Sequence, residues 1–313
     1  MTRVLLVNHR QENCGVKQFG KRFANLASRS EAVEVSYFET DSLQEFRARV
    51  REVNPTDIIY NWYPCTMPWL GDDQITNYPQ YKHWFIWHDG NVRSVYDGYI
   101  FSGAGEKDSW ALRITPEKSH VLPRPLFDYE NTFEKNDVVN VGSFGLGGWH
   151  KGFNDLVTLV GKSFDKAVLN MQIPPAYFGD PSGIEAKKIA ALCHELNVYP
   201  NLELNISHEF LSDAEMLDFL AKNDINAFLY RANSEGLSSV TDFALSVDRP
   251  IAVVAGMMFR HLDTTLIDTD SNTLQEILDR GTAPLDEYKK KWSTDNFVKE
   301  FNLLFEEKTN GTK

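Results

Sequence analysis

Residues 233–253 read Asn-Ser-Glu-Gly-Leu-Ser-Ser-Val-Thr-Asp-Phe-Ala-Leu-Ser-Val-Asp-Arg-Pro-Ile-Ala-Val, a run that leaves the backbone little choice. Val240, Phe243, Ala244 and Val247 recur at helical spacing and predict one buried helix face. Arg249-Pro250 predicts the stop, because proline forces the residue before it out of the helical region. The apolar residues 251–254 then read as a short strand buried on both faces. Loop, helix and buried strand in that order belong to a parallel α/β sheet. Ser238 and Ser239 fall in the first turn of the predicted helix, where free backbone N–H groups and the helix dipole attract an anion. The loop ahead of them carries Glu235, Gly236 and Leu237. Two readings follow: a site for a nucleotide-sugar phosphate, or an ordinary strand-loop-helix unit with a serine cap.

The same alternation runs through almost the whole chain. Strands are predicted at residues 3–7, 33–38, 58–60, 83–87, 99–101 and 120–122, then again at 138–143, 167–171, 202–206, 227–230 and 251–254. Between the two series lie Pro123-Arg-Pro125 and the polar residues 128–137, which read as a linker. A helix is predicted from Lys151, with Phe153, Leu156 and Val160 on its apolar face. Ser212 and Glu215 have capping-box spacing. Two strand-helix series imply two Rossmann-like, doubly wound α/β domains: residues 1–125, residues 126–284, and a last helix at 285–313 placed to pack back across the boundary. Ligands of such sheets bind beyond the carboxyl ends of the strands, here expected in a cleft that the two domains face.

Composition narrows the classes. A chain of 313 residues with 42% hydrophobic and 24% charged residues has ample material for a core. Its formal charge of −12, with acids and bases interspersed, disfavours a general affinity for nucleic acid or anionic membrane. A basic groove from Lys17, Lys21, Arg22 and Arg93 would revive nucleic acid as an acceptor. No apolar run approaches the ~20 residues needed to cross a bilayer. The three cysteines, Cys14, Cys65 and Cys193, show no metal-ligand spacing. The expectation is a soluble cytoplasmic protein without a bound metal or a cofactor.

Several segments together resemble the GT-B glycosyltransferases, and among them the retaining group 1 branch. Val141-Gly-Ser-Phe-Gly-Leu-Gly-Gly-Trp-His-Lys-Gly-Phe153 is similar to the family's strand-loop-helix ending in Lys-Gly-Phe, whose lysine contacts the donor diphosphate. Ser212-Asp-Ala-Glu-Met resembles the capped helix before the family's Glu-Gly-Phe-Gly segment, which Glu235-Gly-Leu-Ser238 matches. Asn13-Cys-Gly-Val16 resembles the N-terminal glycine loop. Trp87-His-Asp-Gly90 resembles the place where the family sets a histidine near the transferred sugar. The resemblance implies two facing Rossmann-like domains and a hexosyl transfer from a UDP- or GDP-sugar. It covers most of the chain. In the branch a second glutamate follows the first after seven residues. Here that place falls on Phe243, with Asp242 beside it. The arginine usual shortly before the Lys-Gly pair is absent as well.

The candidate site residues follow. Lys151 and the helix start at Ser238 and Ser239, with Arg231 after a strand, would neutralise a diphosphate; alternatively each is a solvated or capping residue. Gly15 and Gly145 would let the backbone approach a ligand. Glu235 would orient the donor sugar and His88 would act at the transfer point, unless the first is a surface acid and the second a hydrogen-bonded core residue. Gly236, Leu237 and Asp242 complete the donor side. The aromatic run at residues 60–64 with Trp69 either stacks on sugar or forms a domain wall. The alternatives to metal-free, retaining transfer are a catalytically silent GT-B domain that binds a glycan or a protein, a transferase acting on DNA bases, and a sugar-nucleotide epimerase.

Overall fold

A computed structural model describes residues 2–88, 94–103, 116–231 and 236–306. The chain divides into two compact units, Met1–Pro125 with Lys291–Lys313, and Leu126–Lys290.

The first unit is built on β1 (Thr2–Asn8), β2 (Val33–Glu39), β3 (Asp57–Tyr60), β4 (Lys82–Ile86), β5 (Gly98–Ser102) and β6 (Ser119–Leu122). They form one sheet in the order β2-β1-β3-β4-β5-β6, parallel throughout. Both faces are covered. Val4 and Leu6 point into a cluster with Phe19, Phe23, Phe297 and Phe301, while Leu5 and Val7 point into another with Phe46, Val50, Tyr60 and Phe85. Double burial is why these strands appear in the sequence as continuous apolar runs rather than alternating ones. Helix α1 (Gly15–Ala27) lies on the first face and α2 (Leu43–Val53) on the second, and a short α3 (Asp72–Thr76) follows β3.

In the second unit β7 (Val139–Phe144), β8 (Ala167–Gln172), β9 (Leu202–Ser207), β10 (Ile225–Phe228) and β11 (Ile251–Val253) form a parallel sheet ordered β11-β10-β7-β8-β9. Its helices are α4 (Phe153–Ser163), α5 (Ile184–Leu196), α6 (Asp213–Ala221), α7 (Val240–Ser246), α8 (Leu274–Arg280) and α9 (Asp286–Lys291). Val141, Leu169 and Ile225 of the sheet pack with Phe153, Leu156 and Val160 of α4, Ile189 and Cys193 of α5, and Leu274 of α8. The capping box of Ser212 and Glu215 is present: Glu215 N donates to Ser212 Oγ at 3.3 Å and Ser212 N donates to Glu215 Oε2 at 2.8 Å. Both halves of the α/β expectation hold: each unit is a doubly wound, Rossmann-like parallel sheet.

Four details differ from the reading of the sequence. β10 ends at Phe228, two residues early, so Tyr230 and Arg231 lie beyond the strand's carboxyl end. The helix expected from Lys151 starts at Phe153, because Gly152 takes a left-handed conformation (φ 65°) and separates it from a single 3-10 turn at Trp149–Lys151. The polar residues 128–137 are not a free tether. Asn131 Nδ2 donates to Val247 O at 2.7 Å, Arg249 Nη2 to Phe133 O at 2.6 Å, and Asn136 Nδ2 to Asp224 Oδ2 at 3.0 Å, strapping this stretch along the second unit. The last predicted helix is two. After α9 the chain breaks at Trp292-Ser293, and α10 (Thr294–Glu306) restarts with Ser293 accepting from Phe297 N at 2.9 Å through its carbonyl and from Asn296 N at 3.3 Å through its hydroxyl. Phe297 and Phe301 of α10 then meet Phe23 of α1 edge-on, with centroids 5.1 and 6.0 Å apart. Among the described residues no helix is long and apolar enough to cross a membrane.

Candidate functional site

Chemistry-bearing side chains gather at strand carboxyl ends in each unit, where doubly wound sheets hold their ligands. In the second unit the loop after β7 carries Lys151 to the face of Tyr230. The Lys151 Nζ stands 3.8 Å from the ring centroid, and the side chain is half-buried rather than free in solvent. Burial pushes its amine down to about 8, so it is still mostly protonated at neutral pH. The fully buried Tyr230 is fixed from beneath, its hydroxyl donating to Phe144 O at 2.5 Å. Gly145 makes room for that hydroxyl: a Cβ there would come within 2.3 Å of it. Gly147 is packed against Ala186 and Gly152 against Leu229 O, so three glycines of this loop are explained by contacts within the protein. Arg231 N donates to His150 O at 2.9 Å, tying the loop to the end of β10. Its half-exposed guanidinium lies 3.7 Å from Asp155 and 3.6 Å from Asp270, which share its charge.

The segment before α7 is described from Gly236; Glu235 lies outside the described residues. Ser238 is buried and its N–H donates to Met258 O at 3.0 Å. Ser239 has a helical backbone and makes no side-chain cap, so it does not cap α7 in the usual way. Thr241 Oγ1 donates to Ser238 O at 2.9 Å and accepts from His261 Nε2 at 2.9 Å, which places His261 in the wall of this segment. Asp242 is fully buried. Phe243, where the family's second glutamate would fall, packs on Phe127 and Phe144 with centroids 4.7 and 5.5 Å away. An aromatic core contact occupies that place.

In the first unit the ends of β1, β3 and β4 meet around His88. Asn8 closes β1 and Asn61 follows β3, both fully buried. Asn61 Nδ2 donates to Val16 O at 2.7 Å and to Asn8 Oδ1 at 2.8 Å, and Asn61 Oδ1 lies 2.6 Å from His88 Nε2. Asn8 Nδ2 in turn donates to Lys17 O at 3.0 Å and Tyr37 Oη at 2.9 Å. The His88 ring meets Phe19 edge-on at 5.2 Å. Burial, and then the charge of Arg124 and the nearby His9, holds the imidazole down at about 3, so it is neutral at working pH. Gly15 opens α1, and a Cβ there would meet nothing within 4 Å; unlike Gly145, no packing demands a glycine. Lys17 is buried, with its ammonium on Glu12 (2.5 Å) and Glu39 (3.0 Å), and Arg22 is buried too. The basic groove entertained from Lys17, Lys21, Arg22 and Arg93 loses these two members to the interior; Arg93 lies outside the described residues. Tyr60 is core, and Trp62 and Trp69 pack on Phe85 and Phe46 at 5.6 Å each, so this run is mainly a wall.

Sequence reasoning missed Asn8, Asn61 and Tyr230. The available signal was a polar or aromatic residue directly after a fully apolar strand, at the edge where ligands bind. Among the described residues no group of three His, Cys, Asp or Glu side chains is placed to hold a metal ion.

The sequence matches no protein-family profile, and no curated protein matches it. Solved structures do match. Sucrose-phosphate synthase from Thermosynechococcus elongatus aligns over 100% of both chains with a TM-score of 0.70 at 12% identity. HepE of Anabaena in complex with UDP aligns over 100% of both chains with a TM-score of 0.61 at 13% identity. An alpha-glucosyltransferase in complex with UDP and a mismatched DNA 13-mer aligns over 98% of this chain and 94% of its own, with a TM-score of 0.54 at 16% identity. At these identities the likeness speaks for the fold: the chain has the GT-B fold of these structures.

Proposed function

We propose that the protein is a glycosyltransferase that moves a sugar from a nucleotide-diphosphate donor to an acceptor. The observation that carries this reading is the half-buried Lys151 ammonium held over Tyr230 at the strand ends of the second unit, in a fold shared with structures that hold UDP. The leaving group is a nucleoside diphosphate, and departure builds negative charge on its β-phosphate. A preorganised cation in a partly dry setting stabilises that charge without solvent reorganisation. Lys151 is that cation. Arg231 assists at the margin, its charge already shared with Asp155 and Asp270. In the second unit the backbone at Gly145, Gly236, Leu237 and Ser239 lines the donor side, and Gly15 is a candidate ligand contact of the first unit. Ser238 contributes through position, since its own N–H is committed to Met258. Glu235 orients the transferred sugar and Asp242 supports that segment from within.

His88 acts at the transfer point as a neutral imidazole. Because the ring is held unprotonated, it presents a lone pair to a hydroxyl rather than a charge to a phosphate. We read the transfer as retaining and independent of a metal, with a UDP- or GDP-sugar as donor. The packing of Phe243 favours one second reading, a silent GT-B domain that binds a glycan or a protein, because the second glutamate of the related branch has no counterpart at that place.

The test is a panel of UDP- and GDP-sugars, scored for transfer and hydrolysis with wild type and Lys151→Ala. Loss of about 10²-fold or more in the variant is expected. Equal rates in both remove Lys151 from the mechanism, and no turnover with binding retained favours the silent domain.

A further inference from the structure

The hydrogen-bond chain behind His88 leaves only one place for the imidazole proton. Val16 O is a main-chain carbonyl and can only accept, so the Asn61 side-chain nitrogen must face it at 2.7 Å. Lys17 O fixes the Asn8 amide in the same way at 3.0 Å, leaving Asn8 Oδ1 to accept from Asn61 Nδ2 at 2.8 Å and from His9 N at 2.9 Å. Neither amide can flip without setting donor against donor or acceptor against acceptor. Asn61 Oδ1 is therefore the atom 2.6 Å from His88 Nε2, and a carbonyl oxygen demands a donor there. Gly20 is part of the device: a Cβ on it would come within 2.3 Å of Asn61 Nδ2 and 2.8 Å of Asn8 Nδ2.

From this geometry we propose that Asn61 is a positioning residue. It fixes His88 as the Nε2-protonated tautomer and so reserves the Nδ1 lone pair to accept a hydrogen bond from a hydroxyl of the reacting sugar. Among the described residues Nδ1 has no hydrogen-bond partner of its own. Among the described residues the groups that face the ring are Phe19 and, beyond it, Arg22 on α1, His9 after β1 and Arg124 after β6, which are apolar or basic. None of these stabilises a second proton on the ring. Two carbonyls in the first turn of α1 thus dictate, through two amides, which imidazole nitrogen can serve as acceptor. The role at the sugar rests on the transferase reading; the tautomer does not.

The experiment is nitrogen-15 NMR of the imidazole rings, wild type against Asn61→Ala, joined to kinetics on whichever nucleotide sugar the donor panel finds. In wild type a single Nε2-protonated, neutral His88 is expected from about pH 5 to about pH 8. In Asn61→Ala both tautomers are expected, with kcat down roughly 10- to 100-fold and the donor KM within about threefold, because ground-state binding is not what Asn61 supports. His83 is the internal control for folding. Its ring is held separately by Tyr60 Oη and Tyr78 O, at 3.0 Å each, and its signals are expected to stay unchanged. If the variant fails to fold, the wild-type spectrum still decides. An Nδ1-protonated, mixed or cationic His88 in wild type overturns the proposal, as does an Asn61→Ala protein that keeps one tautomer and full kcat. The expected spectra with no turnover of any nucleotide sugar would leave the tautomer assignment standing and remove the transferase reading instead.

Discussion

The Lys151 ammonium and the Tyr230 ring are 3.8 Å apart, although 3-10 turn and strand end reach them from different parts of the second unit. The contact offsets part of the burial that pushes the lysine down to about 8. Replacing Tyr230 by Leu removes the ring, and nucleoside diphosphate binding is expected to weaken by about tenfold, the scale of a desolvated cation–π contact. Tyr230→Phe keeps the ring and is expected to bind within about threefold of wild type. Calorimetric titration with UDP and GDP checks both.

Because burial holds this amine down to about 8, donor binding is expected to weaken at alkaline pH. The cation exists below that value and is lost above it. Affinity for a nucleoside diphosphate is expected to be steady at neutral pH and to fall as pH rises through about 8. Binding curves for wild type and Lys151→Met across that range provide the check. The Met variant should bind weakly and without this slope.

Gly145 and Gly15 make opposite predictions from one substitution. Gly145→Ala puts a methyl 2.3 Å from the Tyr230 hydroxyl, and overpacking of this kind costs about 1–3 kcal/mol. In Gly145→Ala with Tyr230→Phe the nearest remaining ring atom is 3.3 Å away, so much of the loss should be recovered in thermal or urea melts. Gly15→Ala meets nothing within 4 Å and should leave stability within about 0.5 kcal/mol of wild type. If donor binding falls in that variant while its melting curve stays put, the space above Gly15 belongs to a ligand.

His9 and His88 give the first unit a pH dependence of definite sign. Burial holds them at about 4 and about 3 in the folded protein, below the ordinary 6.5, with the Asp41 carboxylate opposing it at His9 and the Arg124 charge adding to it at His88. Between those values the unfolded chain binds the extra protons, so stability is full above about 6.5 and is lost as pH falls toward 4. The limit is about 1.4 kcal/mol per pH unit for each ring. Melting temperatures measured from pH 7 to pH 4 should fall for wild type and fall less steeply for His9→Gln.

Much of the architecture was already readable from residue order alone. Val4 to Val7, Ile58 to Tyr60 and Ile251 to Val253 are apolar without a break because a parallel strand covered by helices has no wet face. Arg249-Pro250 and the Ser212–Glu215 box are local rules obeyed locally. The glycine loop ending in Lys151 and the histidine after β4 could likewise be pointed to by position. Helix ends were harder: at the left-handed Gly152 a Cβ would come within 2.4 Å of Leu229 O, a contact no neighbour in sequence reveals.

What the sequence determined by itself was the sheet class, the two series of strands and the strand ends where chemistry collects, because periodicity and stop signals act over a few residues. Only the tertiary structure decided the partners: Tyr230 beneath Lys151, Asn61 behind His88, Phe243 turned into an aromatic cluster, Lys17 neutralised between two glutamates. A side chain's charge, proton and exposure are set by the atoms packed around it. Those atoms come from segments tens of residues away, brought together when both faces of each sheet are buried.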